Sequence, residues 1–354
     1  MAGRNSSFWL GRRVFLTGHT GFKGAWLAAW LRRRGAVVDG YALAPATEPS
    51  LHRLLAAADG RIADIRDSGA LAAAMAAAAP EIVFHLAAQP LVRAGYREPR
   101  LTYETNVAGT VNLLEAVRTT PAVRAVVVVT TDKVYENRGD GRPFVESDRL
   151  GGHDPYSNSK AAAEFVTQCY RDSFFNAAQS VRVATARAGN VVGGGDWSED
   201  RLVPDMVRAF VGGNPVELRY PGAIRPWQHV LEPLEGYMML AEALMDGARD
   251  APAALNFGPD PDGFVNVAEI AEQLTAALGA KGWTQAPGDH PAEAAVLTLD
   301  TARAKAALGW RPRLDVRETI RWTAEWYAAW RAGRDMAAAT HAQIAAYENL
   351  TKAT

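Results

Sequence analysis

Three glycines at positions 18, 21 and 24 stand in the string Thr17-Gly18-His19-Thr20-Gly21-Phe22-Lys23-Gly24, between a short apolar run over 13–17 and a segment over 22–34 with helical apolar spacing. A strand that enters a helix through such a turn brings backbone N–H groups against an anion, and the helix end adds a partial positive charge. A dinucleotide pyrophosphate suits that arrangement, and a side chain at any of the three glycines would obstruct its approach. The expected contacts are Gly18, His19, Thr20, Gly21, Phe22, Lys23 and Gly24.

Short β-branched runs alternate with longer helical patterns through the first half of the chain, which implies βαβ units and a parallel sheet covered on both faces. Strands are predicted over 13–17, 36–43, 60–65, 82–87, 125–130 and 181–188, and helices over 22–34, 69–79, 100–118 and 155–174. The run Val126–Val129 lacks polar alternation and so belongs at the centre of the sheet, with ligands collecting beyond its C-terminal end. After Gly189 come glycine- and tryptophan-rich loops, which suit a cleft wall. The helix over 229–246 and the strand around Leu255-Asn256-Phe257 are expected to rejoin the sheet. The fold class is therefore α/β: a doubly wound, Rossmann-like parallel sheet with a smaller, discontinuous α/β substrate lobe. Residues 1–190 and 223–260 form the dinucleotide-binding domain, and 191–222 with 261–354 the substrate domain.

Lys+Arg (38) and Asp+Glu (39) nearly balance over the 354 residues, so no global field directs the chain to nucleic acid or to an anionic membrane. The N-terminal segment has no signal-type apolar region, and no apolar run approaches the ~20 residues of a bilayer span. A single cysteine, Cys169, suits a reducing compartment and reads as a small buried residue in a helix. The expectation is a cytoplasmic protein. The seven histidines show no metal-ligand spacing, and no metal is expected.

Tyr156 and Lys160 lie four apart and share one face of a helix. A free tyrosine, near pKa ~10, is a poor base at neutral pH, and a neighbouring ammonium and a cationic cofactor ring would both favour its phenolate. Thr131, Asp132 and Lys133 follow the 125–130 strand; Thr131 can align a substrate hydroxyl, and a carboxyl beside an amine is what water elimination requires. A surface ion pair is the alternative for Asp132 and Lys133. Asp64 and Ile65, after the third strand, suit an adenine contact. The second strand ends in Ala42-Leu43-Ala44-Pro45, without the acidic residue that usually holds the adenine ribose. Spacing alone therefore leaves NAD and NADP open, with Lys23 or Arg66 available to a phosphate.

The glycine turn, Ala87-Ala88-Gln89-Pro90, Thr105-Asn106-Val107-Ala108-Gly109-Thr110, Thr131-Asp132-Lys133 and Tyr156-x-x-x-Lys160 together resemble the extended short-chain dehydrogenase/reductase family. Within it, residues 18–24, 89–93, 154–160, 189–197 and 225–230 are similar to the nucleotide-sugar 4,6-dehydratases acting on CDP-linked glucose, a likeness that runs from Phe8 to about Trp330. Dehydratases of dTDP-glucose carry Asp-Glu where this chain has Asp132-Lys133. The chain departs from the pattern at Ala44.

The resemblance implies NAD as cofactor, with Leu86, Ala87, Ala88, Gln89, Asn106, Thr130, Tyr156 and Lys160 joining the contacts above. It implies a CDP-sugar substrate held by Gln89, Arg93, Asn190, Arg201, Arg225 and His229, although His229 also reads as a structural histidine. The implied reaction oxidises C4 with Tyr156 as base, eliminates water across C5–C6 with Asp132 as acid and Lys133 as base, and returns the hydride to C6. Deoxysugar biosynthesis for lipopolysaccharide O-antigen and a homodimer or dimer of dimers, paired through helices 100–118 and 155–174, follow from the same likeness. A nucleotide-sugar epimerase and a catalytically silent dinucleotide-binding regulator are the competing readings.

Overall fold

The computed structural model describes residues 7–56, 60–175, 181–247, 252–288 and 294–352. Seven parallel strands form its sheet: β1 (Arg13–Thr17), β2 (Val37–Ala42), β3 (Arg61–Ile62), β4 (Ile82–His85), β5 (Ala125–Val129), β6 (Arg182–Ala188) and β7 (Ala254–Phe257). Their order is β7-β6-β5-β4-β1-β2-β3, so chain direction across the sheet reverses between β1 and β4 and a crevice opens there. All five residues of β5 are buried, because alternate valines serve opposite layers. Val127 and Val129 join the core containing Trp26, Trp30 and Trp326; Val126 and Val128 join the one containing Phe15, Tyr41 and Leu113. β5 is an interior strand, one place from the midpoint held by β4.

Helices α1 (Phe22–Arg33), α2 (Ser68–Ala78), α3 (Gly109–Arg118), α4 (Pro155–Ser173), α5 (Leu231–Asp246), α6 (Val316–Arg331) and α7 (Met336–Lys352) cover the sheet and build the second lobe. The helix expected over 100–118 is interrupted. Pro99–Tyr103 passes through one wide π turn, Glu104–Ala108, before α3 begins. Gly109 approaches the turn after β3 so closely that a Cβ would lie 2.9 Å from Ile65 Cγ2. The π turn accommodates the approach and directs Asn106 inward. The strand expected over 60–65 is cut to two residues, because the Asp64 carboxylate accepts from the Arg66 amide at 2.9 Å and turns the chain. Cys169 lies on α4 as expected but is exposed, not buried.

The chain leaves the sheet after β6 and returns to it at β7, after α5 has packed on β5 and β6. The excursion contributes the helix Leu202–Gly212, the strand pair Val191–Val192 with Gln228–His229, and the strands Ile224–Pro226 and Val216–Leu218, whose partners Phe264–Asn266 and Trp283–Gln285 follow β7. Among the described residues no helix is long and apolar enough to cross a membrane.

α7 is fastened at two points. Glu348 accepts from Trp30 Nε1 on α1 at 2.9 Å and from Nε of Arg34, just past its end, at 2.6 Å. Tyr347 Oη meets the buried Glu232 at 2.6 Å and Glu235 at 3.2 Å, and Glu232 also accepts the amides of Arg313 and Leu314. One phenolic proton cannot serve two carboxylates, and burial holds the Glu232 carboxyl protonated, its pKa raised to about 8. Glutamate in the unfolded chain titrates near ~4.3, so unfolding above that pH releases a proton. Glu232 therefore stabilises the fold at acid pH, and this contribution is lost as pH rises toward about 8. Glu232→Gln keeps an acceptor for the two amides and offers an N–H to Tyr347. Calorimetric melting should then show a flatter decline of Tm between pH ~5 and ~8 than the parent; an unchanged slope would refute this account.

Candidate active site

The glycine turn is wound tightly. A Cβ on Gly18 would lie 2.7 Å from the Ala87 nitrogen and one on Gly24 2.0 Å from the Gly18 carbonyl, whereas one on Gly21 would meet only the Gly18 carbonyl at 3.4 Å. Gly21 caps α1 without a side-chain hydrogen bond, leaving first-turn N–H groups for a ligand. Thr20 Oγ1 donates to the Leu43 carbonyl at 2.8 Å, and Thr17 Oγ1 accepts from the Leu86 and Ala87 amides, each at 3.2 Å. Together these bonds tie the turn to the ends of β2 and β4. From here a cleft of about 1070 Å³ runs across the carboxyl ends of the strands to the second lobe. That is large enough for a dinucleotide beside a second ligand.

Gly18, Thr20, Gly21, Phe22, Lys23, Gly24, Asp64, Ile65, Leu86, Ala87, Ala88, Gln89, Thr130, Tyr156 and Lys160 all line the cleft. Two expected cofactor contacts do not. The His19 side chain is buried beneath the turn, edge-on to His52 at 5.2 Å. Asn106 is 2 % exposed; it accepts from the Gln89 amide at 2.8 Å and donates to the Gln89 carbonyl and Ser159 Oγ, so it shapes the Gln89 loop from behind. The end of the cleft near Leu43, Ala44, Thr47 and Ser50 has no carboxylate from β2, since Asp39 is exposed near Arg32. Asp64 is paired with Arg66 at 2.6 Å.

The groups expected to react meet where β5 ends and α4 begins. Asp154 caps α4 by accepting from the Ser157 amide at 3.0 Å, with Pro155 in the first turn, and this start places Tyr156 at the cleft floor. Burial pushes the Tyr156 phenol up to about 12, while a hydrogen bond with Thr131 and the charge of Arg201 act in the opposite direction. The expected lowering by Lys160 is not what the protein shows. Lys160 Nζ donates to the Val129 carbonyl at 3.0 Å, and burial brings its own pKa down to about 8, against the opposing charge of Glu164.

Asp132 is 1 % exposed, and burial raises its carboxyl above the ordinary range despite Lys133, Arg225 and Lys23 nearby. Oδ1 accepts from Thr131 Oγ1 at 3.0 Å; Oδ2 has no partner among the described residues. The carboxyl rests on Gly189, where a Cβ would lie 1.7 Å from Oδ2. Lys133 lines the same cleft. Lys23, expected only at the phosphate turn, is half-buried within reach of Arg201, Asp132 and Lys160, and desolvation lowers its pKa to about 7.

At the far end Gln89, Arg93, Asn190, Arg201 and Arg225 line the cleft, as do Trp197 and Trp227. Arg93 is bonded to Asp200 at 2.7 Å, and Asp200 also accepts from Arg219 at 3.1 Å; neither partner was singled out in the sequence. Arg201 pairs with Asp196 at 3.4 Å, and Arg225 is 4 % exposed. His229 does not reach the cleft. Its ring is fully buried, edge-on to Trp26 and Trp322, and burial lowers its pKa to about 3, which marks it as a structural histidine. No group of three or more His, Cys, Asp or Glu side chains among the described residues could hold a metal ion.

A parallel sheet of this order, a glycine turn at its crevice and a buried tyrosine–lysine pair beside a buried acid define a class. A model of the GDP-mannose 4,6 dehydratase family matches residues 15–323, and the chain belongs to that family, within the extended short-chain dehydrogenase/reductases. It is 45% identical over 98% of its length to CDP-glucose 4,6-dehydratase of Salmonella typhimurium, covering 99% of that relative. It is 28% identical to dTDP-glucose 4,6-dehydratase of Streptomyces griseus, over 68% of this chain and 70% of the other. Among solved structures, UDP-glucose-4-epimerase from Stenotrophomonas maltophila with bound NAD superposes with a TM-score of 0.79 at 23% identity, over 91% of this chain and 99% of that one. dTDP-glucose 4,6-dehydratase from Bacillus anthracis in complex with NAD gives 0.76 at 21%, over 92% and 100%.

Proposed function

We propose that this chain is an NAD-dependent hydro-lyase that converts CDP-D-glucose to CDP-4-keto-6-deoxy-D-glucose. The observation that carries the reading is the Asp132 carboxyl, buried, lifted above its usual range and with one oxygen unpartnered, in the same cleft as Tyr156 and Lys160. An epimerase needs the tyrosine and lysine but has no use for a protonated acid at C6. The 45% identity to the Salmonella enzyme supports the CDP-sugar over other nucleotides.

The turn at Gly18–Gly24 and the uncapped start of α1 would hold the NAD pyrophosphate, with Asp64 and Ile65 near the adenine. When bound there, NAD would supply hydride acceptance at C4 and hydride donation at C6, and its positive ring would favour the phenolate of Tyr156. Tyr156 takes the 4-hydroxyl proton, with Thr131 aligning that hydroxyl. The resulting ketone acidifies C5–H, Lys133 removes that proton and Asp132 protonates the leaving 6-hydroxyl, so that water departs across C5–C6; the Lys133 ammonium, exchanged with solvent, then returns a proton to C5 as C6 receives the hydride. Gln89, Arg93, Asn190, Arg201 and Arg225 hold the nucleotide diphosphate and sugar, arginine being suited by its forked donors. Turnover against CDP-, dTDP-, UDP- and GDP-glucose tests the reading: a 4-keto-6-deoxy product from the CDP-sugar alone supports it, and interconversion of C4 epimers refutes it.

We also propose that two copies pair through the helical face carrying Tyr103 and Phe165, 38 % and 54 % exposed. A charge there would be trapped against a second apolar face. Phe165→Glu should shift the sedimentation coefficient of the protein from dimer to monomer, and a parent that sediments as a monomer would end this proposal. An exposed Cys169 is compatible with a reducing cytoplasmic setting.

A further inference from the structure

Glu164 takes no part in the chemistry above and does not line the cleft, yet it is 4 % exposed and every oxygen it has is engaged. Oε1 accepts from Thr130 Oγ1 at 2.5 Å and Arg187 Nε at 2.9 Å; Oε2 accepts from Thr185 Oγ1 at 2.7 Å and Arg187 Nη2 at 2.8 Å. Arg187 is in turn bonded to Tyr135 Oη at 2.9 Å and to the Glu146 carbonyl at 3.1 Å. Tyr156, Lys160 and Glu164 stand at successive turns on one face of α4. Two of them hold residues at which β5 ends, Lys160 the Val129 carbonyl and Glu164 the Thr130 hydroxyl, and the third, Tyr156, has Thr131 near enough to act on its phenol.

We infer that Glu164 is a positioning residue for the oxidation at C4: with Arg187 it locks the end of β5 to α4, so that the Thr131 hydroxyl and the Tyr156 phenol keep a single separation. A buried fork-to-fork pair is expensive to desolvate and a weak source of stability, whereas its fixed geometry supplies the alignment that proton transfer needs. The inference rests on the dehydratase reading for its kinetic arm only.

Glu164→Gln keeps the volume and an acceptor but loses the second charged oxygen. It should lower kcat on CDP-glucose by about 10- to 100-fold with KM within about twofold, the signature of lost alignment without lost binding. In the protein without ligands, hydrogen exchange of the amides of Thr130, Thr131 and Asp132 should accelerate. Thr185→Val removes a bond to the same carboxylate on the side away from the cleft, and should lower Tm while leaving kcat and that exchange unchanged. Should Glu164→Gln fail to fold, Glu164→Met with Arg187→Met removes both charges together and should show the same split. Wild-type kcat and exchange in a folded Glu164 variant, or an equal kcat loss in Thr185→Val, would overturn the inference. A parent with no activity on any nucleotide sugar would instead defeat the dehydratase reading and leave the exchange comparison to decide.

Discussion

Replacing Tyr156 by phenylalanine is expected to lower kcat on CDP-glucose by about 10³-fold or more while substrate and cofactor affinities stay within about twofold. The phenol is buried, hydrogen-bonded with Thr131 and lifted to about 12, so it holds its proton until a ligand brings positive charge to the cleft. That poises it to titrate only in the assembled complex, which keeps it inert beforehand. Phenylalanine fills the same volume, so a loss of rate reports the oxygen alone. Stopped-flow absorbance of the reduced cofactor and steady-state product formation would both measure it. A Tyr156→Phe protein retaining a tenth of the parent rate would remove Tyr156 from the C4 step.

The second large effect is expected at a residue with no reactive group. Gly189→Ala would put a Cβ 1.7 Å from Asp132 Oδ2 and 2.2 Å from its Cγ, a separation no side chain can accept, so the carboxyl must leave its present position. Dehydration should fall by about 10²- to 10⁴-fold, as in Asp132→Asn, because both variants lack a proton donor at the 6-hydroxyl. Oxidation at C4 should persist in both, so that a 4-keto hexose retaining its 6-hydroxyl accumulates. The pH dependence follows in sign. Burial raises the Asp132 carboxyl, its protonated form is the active one, and dehydration should decline as pH rises through that raised value. Wild-type dehydration by Gly189→Ala, with the fold intact, would mean that Asp132 is not the acid.

The features readable from the chain alone were those written in local spacing. The glycine turn declares itself because 18, 21 and 24 follow a strand, β5 because four valines run without polar alternation, and the start of α4 because Asp154-Pro155 caps it. What stayed hidden depends on partners distant in sequence. Nothing near Gly189 reveals that the Asp132 carboxyl lies on it, and nothing near Arg93 reveals Asp200 and Arg219. His229 and Asn106 were assigned to ligands because their motifs match, but the aromatic core closes over one ring and the Gln89 loop occupies the other amide. The break at Glu104–Ala108 was invisible because helical periodicity continues through it; only the approach of Gly109 to Ile65 requires the extra width. Electrostatics misled for the same reason: spacing puts Lys160 beside Tyr156, while its ammonium is engaged by the Val129 carbonyl.

The account stands on a hydride that leaves C4 and arrives at C6 of the same hexose. Incubating the purified protein and NAD with CDP-glucose deuterated at C4, then locating the label by NMR, tests this directly. Deuterium at C6 of a 4-keto-6-deoxy product, with C5 hydrogen drawn from solvent, is the predicted result. Label retained at C4, in glucose or in its C4 epimer, would contradict it.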